Sequence, residues 1–304
     1  MRNLCLTMLL VLALWGREPL ASRIAHTDPD LASSRVVHGG AGSGYNVQSL
    51  LETGSLETNL YFVHRGTIPP KSGIGHHFHS QCEEMFIIFD GEAEFTVDGR
   101  TSLLKGPVGA PCRMGHSHAI YNPTDKPVQW MNINVTNRKG IYDTFDLGDS
   151  RSDVQHLDPI PTFMTMRLDQ ALLRPTADMN GGHGMVHYRR ALDTTVFLGP
   201  WAYVDQVVLD PGSSIGPHYH TQVAEVYYVM SGTGSITVGT QGRGAAAETT
   251  KIRAGDAIPI QLDEVHSVAN DGAAPLEIMM IGIATDNQKR VDNIDAPAAG
   301  RGRN

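Results

Sequence analysis

The 304-residue chain is poor in cysteine, in aromatic residues and in charge. Aromatic residues make up 7% and charged residues 18%, whereas glycine (32 residues) and proline (17 residues) are abundant. This composition is typical of a turn-rich β protein rather than of a helical bundle. The formal net charge of −8 lacks the basic excess that a nucleic-acid-binding surface needs, so nucleic acid is not an expected partner.

Long apolar runs are also scarce, and the main one begins the chain. The stretch "MRNLCLTMLLVLALWG" has a short basic start and an apolar run, and the polar "REPLASR" follows it. This pattern predicts a secretory signal over residues 1–22, cleaved near Ala21 or Ser22. The alternative is a membrane anchor, but the run is shorter than the roughly 20 apolar residues that a span needs. We therefore expect a secreted or periplasmic protein with no stable membrane span after cleavage.

Only two of the three cysteines, Cys82 and Cys112, lie outside the predicted signal. In an oxidising compartment these two thiols could form a disulfide. The alternative is two separate buried thiols, and the sequence does not decide between them because the distance between their Cα atoms is unknown.

The chain repeats itself. "GTIPPKSGIGHHFH" (66–79) aligns with "VVLDPGSSIGPHYH" (207–220) at an offset of 141, and "HGGAG" (38–42) aligns with "NGGHG" (180–184). Further along, the offset becomes 148, because the second copy gains seven residues around "GTQGRGAAAETT". Such self-similarity predicts a tandem duplication. The predicted segments are a first copy (38–140), a connector with a possible short helix at "RLDQALL" (141–179), a second copy (180–285) and a disordered tail poor in apolar residues (286–304).

Within each copy, short β-type runs alternate with turn signals. "EMFIIFDGEAEFTVDG" contains an apolar run, a turn signal, an alternating run and a second turn signal, which predicts a β-hairpin. "VQWMNINV" and "LEIMMIGI" end the copies as further strands. Many short strands separated by glycine and proline predict an all-β barrel or double-sheet fold.

The repeated residues include side chains that bind metals. His77 and His79 are two residues apart in a predicted strand and therefore share one face, while Glu84 and His118 come from other strands. A lone histidine on an apolar strand is usually a structural residue, but here every candidate ligand recurs in the second copy. The predicted ligands are His77, His79, Glu84 and His118 in the first copy, and His218, His220, Glu225 and His266 in the second. Nitrogen and oxygen ligands of this kind suit divalent iron, manganese, nickel, cobalt or zinc.

These motifs resemble those of the cupin family. The second copy matches the first cupin motif, G-x5-H-x-H-x3–4-E-x6-G, in full from Gly212 to Gly232, whereas Lys71 replaces the leading glycine in the first copy. The second motif, G-x5-P-x-G-x2-H-x3-N, is looser. The second copy has Gln261 and Asp263 in place of its proline and glycine, and the first copy has Arg113 in place of the proline. These departures concern the turn and not the ligands.

The resemblance implies two tandem cupin domains, each a double-stranded β-helix or jelly-roll barrel holding one divalent metal, with iron or manganese favoured. Related bicupins include dioxygenases that cleave flavonols or diketones, oxalate-degrading enzymes, isomerases, sugar-binding proteins and storage proteins. We expect a metal-dependent, dioxygenase-like oxidoreductase acting on a small organic molecule, as a monomeric bicupin or a homo-oligomer. The alternatives are a redox-neutral decarboxylase or isomerase, and a non-catalytic module that binds a sugar or a small acid.

Residues beside the ligands add candidates for the site. If Glu84 points inward, strand alternation turns Phe86 and Ile88 inward as well, which gives the first pocket an apolar lining. In the second copy Tyr227 and Val229 take these places, so Tyr227 could contact a substrate or simply donate to a backbone carbonyl.

Two further acid or base candidates precede the last histidine ligands. His116 lies two residues before His118, and Glu264 lies two residues before His266. If the strand has begun there, both face inward and could transfer protons; otherwise they lie in the preceding turn. Glu83 adjoins Glu84 and should face the other way, towards solvent.

Overall fold

The structure is a computed structural model that describes residues 18–240, 247–288 and 294–295. Residues 1–17 of the predicted signal and most of the predicted tail lie outside these ranges. In the described part, the helices are α1 (Leu20–Arg23) and three short 3-10 turns at Pro29–Leu31, Gln170–Leu172 and Met179–Gly181. No helix there is long and apolar enough to cross a membrane.

Strands form the rest of the regular structure, which confirms the predicted all-β class. They are β1 (Ala25–His26), β2 (Ser33–Arg35), β3 (Tyr45–Glu52), β4 (Leu60–Ile68), β5 (Ser72–Phe78), β6 (Cys82–Ile88), β7 (Glu92–Val97), β8 (Arg100–Lys105), β9 (Val108–Cys112), β10 (Ser117–Asn122), β11 (Val128–Thr136), β12 (Phe145–Asp146), β13 (Met166–Arg167), β14 (Arg174–Ala177), β15 (Met185–Leu192), β16 (Trp201–Leu209), β17 (Ser214–Tyr219), β18 (Val223–Ser231), β19 (Thr233–Thr240), β20 (Glu248–Arg253), β21 (Asp256–Ile260), β22 (Glu264–Ala269), β23 (Leu276–Ala284) and β24 (Ile294–Asp295).

Each copy folds as two antiparallel sheets that face each other. The first copy combines a five-stranded sheet (β12-β5-β10-β7-β8) with a seven-stranded sheet (β13-β9-β6-β11-β4-β3-β2). The second copy repeats the arrangement with β20-β19-β22-β17-β24 and β1-β21-β18-β23-β16-β15-β14. Two facing sheets of short strands form the expected jelly-roll barrel in each copy.

The two copies exchange their leading strands. β1, at the start of the chain, pairs with β21 of the second copy, whereas β13, in the predicted connector, pairs with β9 of the first copy. β14 and β12 also lie in the predicted connector and pair with β15 and β5. The connector therefore contributes strands to both copies.

The apolar core has three main parts. One lies inside each barrel, and the third lies between the two seven-stranded sheets. On β6, Met85 and Ile87 face this shared core, while Phe86 and Ile88 face the barrel interior. Burial on both faces explains why β6 is an uninterrupted apolar run.

This shared core corrects the prediction for Glu83. The side chain does lie opposite Glu84, but that face of β6 packs against the second copy instead of solvent, and Glu83 is 0% exposed. Its carboxylate accepts hydrogen bonds from the main-chain N–H groups of Leu198 and Gly199, each at 2.8 Å. Glu83 therefore connects the two copies.

The predicted hairpin over "EMFIIFDGEAEFTVDG" is also wrong. β6 pairs with β9 and β11, whereas β7 pairs with β8 and β10 in the opposite sheet. The turn at Gly91 therefore carries the chain from one sheet to the other, as closing a jelly roll requires. The hairpin is the next one, where Asp98 and Gly99 connect β7 to β8 with φ of 49° and 75°. Two positive φ values are the geometry of the tight turn that favours Asp-Gly.

Candidate metal centres

The first centre lies inside the first barrel, where the two sheets face each other. His77 on β5 pairs directly with His118 on β10, His79 follows β5, and Glu84 comes from β6 in the opposite sheet. All four side chains are buried, and their ligand atoms lie within 4.8 Å of one another. Glu84 lies 3.4 Å from Nε2 of His118 and 3.7 Å from Nε2 of His79. The structure thus brings together all four ligands predicted for this copy.

The second centre repeats this geometry in the second barrel. His218 on β17 pairs with His266 on β22, and the buried cluster of His218, His220, Glu225 and His266 meets the same 4.8 Å limit. Glu225 lies 3.3 Å from Nε2 of His220 and 3.0 Å from Nε2 of His266. The duplicated sequence therefore produces two matching clusters.

Both centres fit a divalent metal. Nδ1 of His77 donates to the Gly75 carbonyl at 2.8 Å, and Nδ1 of His79 donates to the Asp143 carbonyl at 2.6 Å, so Nε2 of each ring is left as an acceptor. Nε2 of His79 and His118 is buried and has no hydrogen-bond partner among the described residues. Buried nitrogen lone pairs without a partner are costly unless they bind an ion.

Electrostatics keep these ligands in the protonation states that metals require. Burial lowers the pKa of His77 to about 2 and that of His118 to about 4, so both imidazoles are neutral at pH 7. Burial raises the pKa of Glu84, but the interactions with His79 and His118 outweigh burial and hold the pKa of this carboxyl well below its usual range. Neutral imidazoles and an ionised carboxylate are the ligand forms of a metal site.

The two centres differ in what holds the glutamate. Asn132 and Asn134 of β11 donate side-chain amide hydrogen bonds to Glu84 at 3.0 Å and 2.9 Å. In the second centre, the hydroxyl of Tyr203 donates to Glu225 at 2.8 Å. Gly282 takes the place of Asn134 there, and a Cβ on it would come within 2.5 Å of the Tyr203 ring.

The first centre opens onto a cavity of about 520 Å³, called the first cavity below. Aromatic rings line much of it. Tyr61 stacks on Tyr142 with ring centroids 4.9 Å apart, and Phe62 stacks on His64 at 3.8 Å. Phe86, predicted to face inward, also lines the cavity and stacks on His118 at 4.3 Å.

The second cavity, next to the second centre, measures about 170 Å³. Its polar groups bond to one another, since Arg190 donates twice to Asp205, at 2.9 Å and 3.0 Å, and lies 4.2 Å above the Tyr203 ring. Tyr188 also donates to Asp205, at 3.0 Å. Small-molecule pockets usually measure about 300–1,000 Å³, so of the two cavities beside the centres the first has the size of such a pocket and the second does not.

Of the three predicted catalytic side chains, the structure brings only Tyr227 to a centre. Tyr227 is buried and lines the second cavity, where burial and the Glu225 carboxylate raise its pKa well above the usual range. His116 lies in the turn before β10, with its Nδ1 2.6 Å from Asp98. Glu264 is buried but binds Arg23 at 3.0 Å and is not among the residues that line the second cavity.

The two cysteines are free and buried, so the structure contains no disulfide between them. Cys82 lies 3.4 Å from Nδ1 of His79, and burial raises the pKa of its thiol. A protonated buried thiol is a poor nucleophile and a poor metal ligand.

Several residues around the first centre were missed by sequence reasoning. Asn132 and Asn134 alternate with apolar residues in "WMNINV", and two amides in an apolar strand are a usable signal. Asp143 gave no such signal, because it lies in the predicted connector. Its carboxylate accepts from the main-chain N–H groups of Ser80 and Gln81, and its carbonyl holds His79. His38 also lines the first cavity, stacks on His77 at 3.9 Å and pairs with Asp146.

Comparisons with known proteins agree with this architecture. The family model for the cupin domain matches twice, at residues 64–134 and 206–282. The chain is 28% identical over 120 residues to the oxalate-binding protein of Thermotoga maritima. The aligned region covers 40% of this chain and 93% of that protein.

Solved bicupin structures share the fold. The oxalate decarboxylase of Lactobacillus farciminis, in complex with formate, is 16% identical with a TM-score of 0.63, covering 89% of this chain and 88% of that one. A variant of the Bacillus subtilis oxalate decarboxylase is 18% identical with a TM-score of 0.62, covering 89% and 79%. The chain belongs to the cupin superfamily and is a bicupin, with one His/Glu metal-type cluster in each of its two cupin domains.

Proposed function

We propose that the protein is a metal-dependent enzyme whose active site is the first centre, and that it acts on a small, planar organic molecule in a dioxygenase-like reaction. The observation that carries this proposal is the first cavity. It joins the His77, His79, Glu84 and His118 cluster to a space of about 520 Å³ with aromatic walls. Stacked rings such as Tyr61 and Tyr142 suit a planar substrate, because offset stacking stabilises aromatic pairs.

The four ligands of the first centre would hold a divalent ion, with iron or manganese as the proposed metal. Such an ion would supply Lewis-acid and redox chemistry to the substrate and to dioxygen. The chain's own contribution is positional. Asn132 and Asn134 fix the Glu84 carboxylate, Phe86 supports the His118 ring, and the aromatic walls keep water from the faces of the substrate.

Oxygen uptake with a panel of diketones, flavonols and catechols tests this reaction on metal-loaded protein. We expect uptake with at least one panel member, and we expect His77→Ala to lose far more activity than His218→Ala at saturating metal. Metal analysis of both variants is the control, because each should retain one equivalent of metal. Equal losses from the two variants would contradict the assignment of the active site to the first centre.

A second candidate is the redox-neutral decarboxylation of a small acid. The sequence similarity to an oxalate-binding protein favours it, together with the Arg35 side chain in the wall of the first cavity. Release of carbon dioxide from oxalate or a related diacid, without net oxygen uptake, would identify this reaction. Absence of both activities in fully metallated protein would leave a binding module.

We also propose export, which the basic and apolar start of the chain supports. Fractionation of the producing cells and N-terminal sequencing of the purified protein test this. A full-length protein confined to the cytoplasm would contradict it.

A further inference from the structure

We propose that the first cavity binds an organic anion, an ionised carboxylate or enolate oxygen on a planar body, and that Arg35 and His64 bind the anionic oxygen. This inference rests on the proposed function, because it concerns the same site and names the chemical class of its substrate.

Arg35 supplies the positive charge. It lies on β2, opposite Tyr45, and is the one lysine or arginine among the described residues that line the first cavity. Its guanidinium makes no hydrogen bond or ion pair with any other described residue. A guanidinium is a planar fork of donors that matches the geometry of a carboxylate, so it is suited to binding such a group.

His64 supplies a neutral polar group on the same wall. It lies on β4 opposite Asn132, and its ring stacks on Phe62. Within the described part of the chain, neither ring nitrogen has a hydrogen-bond partner. Burial lowers the pKa of His64 to about 4, so at pH 7 the neutral ring carries one N–H that can donate to a ligand.

In the second copy, the positions that match this wall of the first cavity carry side chains that bind one another. The strand registers make Asp205 the counterpart of His64 and Arg190 the counterpart of Ser49. Asp205 is itself a carboxylate, and Arg190 and Tyr188 bind it from within the protein. In the first copy, His64 carries no charge and Arg35 is left without a carboxylate. The first copy therefore has neither the built-in carboxylate nor the arginine that binds it at these positions, and the nearby Arg35, on β2, is available to an anion from outside.

Glu52 and Glu84 also line the first cavity, and both act on the pKa of His64 in the opposite sense to burial and Arg35. Glu52 ends β3, whereas Tyr45, the partner of Arg35, begins it, so the two charges lie at opposite ends of the strand. Glu84 is held by two asparagines and belongs to the metal centre. An anionic substrate would place its charge near Arg35 and its planar body between the aromatic walls.

Calorimetric titration of benzoate and its neutral analogue benzamide into zinc-loaded protein, with oxygen excluded, tests the proposal. We expect one benzoate per chain and at least about tenfold weaker binding of benzamide. Arg35→Gln should weaken benzoate by about tenfold or more and leave benzamide unchanged, and His64→Phe should weaken benzoate alone. Arg138→Gln, at an exposed position, is the matched control and should change neither affinity.

Equal affinity for the two compounds, no binding of benzoate, or unchanged benzoate binding by Arg35→Gln would each overturn the proposal. Because no turnover occurs in this experiment, its result is independent of the reaction. Oxygen uptake on neutral substrates without benzoate binding would refute the anion site alone, whereas benzoate binding without any oxygen uptake would refute the dioxygenase-like reaction alone.

Discussion

The two metal centres should respond separately to loss of the groups that hold their glutamates. Asn134→Leu preserves most of the side-chain volume but removes the amide that donates to Glu84 at 2.9 Å. A hydrogen bond to a charged group contributes about 1.5–3 kcal/mol, and loss of such a partner typically weakens metal binding by about 10–100-fold. We therefore expect the metal affinity of the first centre to fall by about 10–100-fold, and we expect Asn132→Leu to have an effect of similar size.

Competition between the protein and a chelator of known affinity, followed by cobalt absorption, measures both centres in one chain. The second centre is the internal control, because Tyr203 and not an asparagine donates to its glutamate. Tyr203→Phe should produce the mirror result and weaken the second centre only. If Asn134→Leu weakened both centres equally, or neither, the proposed role of the asparagines would be refuted.

Three further predictions concern stability. Burial holds the pKa of His77 at about 2 and that of His118 at about 4, below the usual 6.5, so unfolding takes up protons as pH falls through 6.5. The metal-free protein should therefore lose about 1.4 kcal/mol per histidine between pH 7.5 and 5.5 in denaturant titrations, and equal stability at the two pH values would refute this. Leu20 is 1% exposed in the core of the second copy, so a chain that starts at residue 23 should be about 2 kcal/mol less stable than one that starts at residue 18. Equal melting midpoints would contradict that burial. Glu83→Ala should cost about 2 kcal/mol, because the buried N–H of Gly199 and the partly buried N–H of Leu198 lose their acceptor, and Glu83→Gln should cost clearly less. Denaturant titration of the two variants under the same conditions checks that Glu83→Ala loses more stability than Glu83→Gln.

The sequence was sufficient to predict the duplicated fold and the eight candidate ligands that the structure brings together in two clusters. Strand alternation places His77 and His79 on one face, and a constant offset identifies the same set in both copies, so local spacing carries this information. It was not sufficient for strand partners. The local pattern predicts a hairpin of β6 and β7, but these strands lie in different sheets. The direction of the chain after the turn at Gly91 decides this, and the local pattern does not specify that direction.

Tertiary structure alone decided which surfaces are buried and which cavity is open. Glu83 is inside because two seven-stranded sheets pack together, and no local pattern distinguishes that face from one in solvent. The cavities differ because Arg190 binds Asp205 from the neighbouring strand in one copy, whereas His64 has no such partner among the described residues in the other. The ligand pattern was thus determined by spacing along the chain, while the access of a substrate to each centre was determined by contacts between residues distant in sequence.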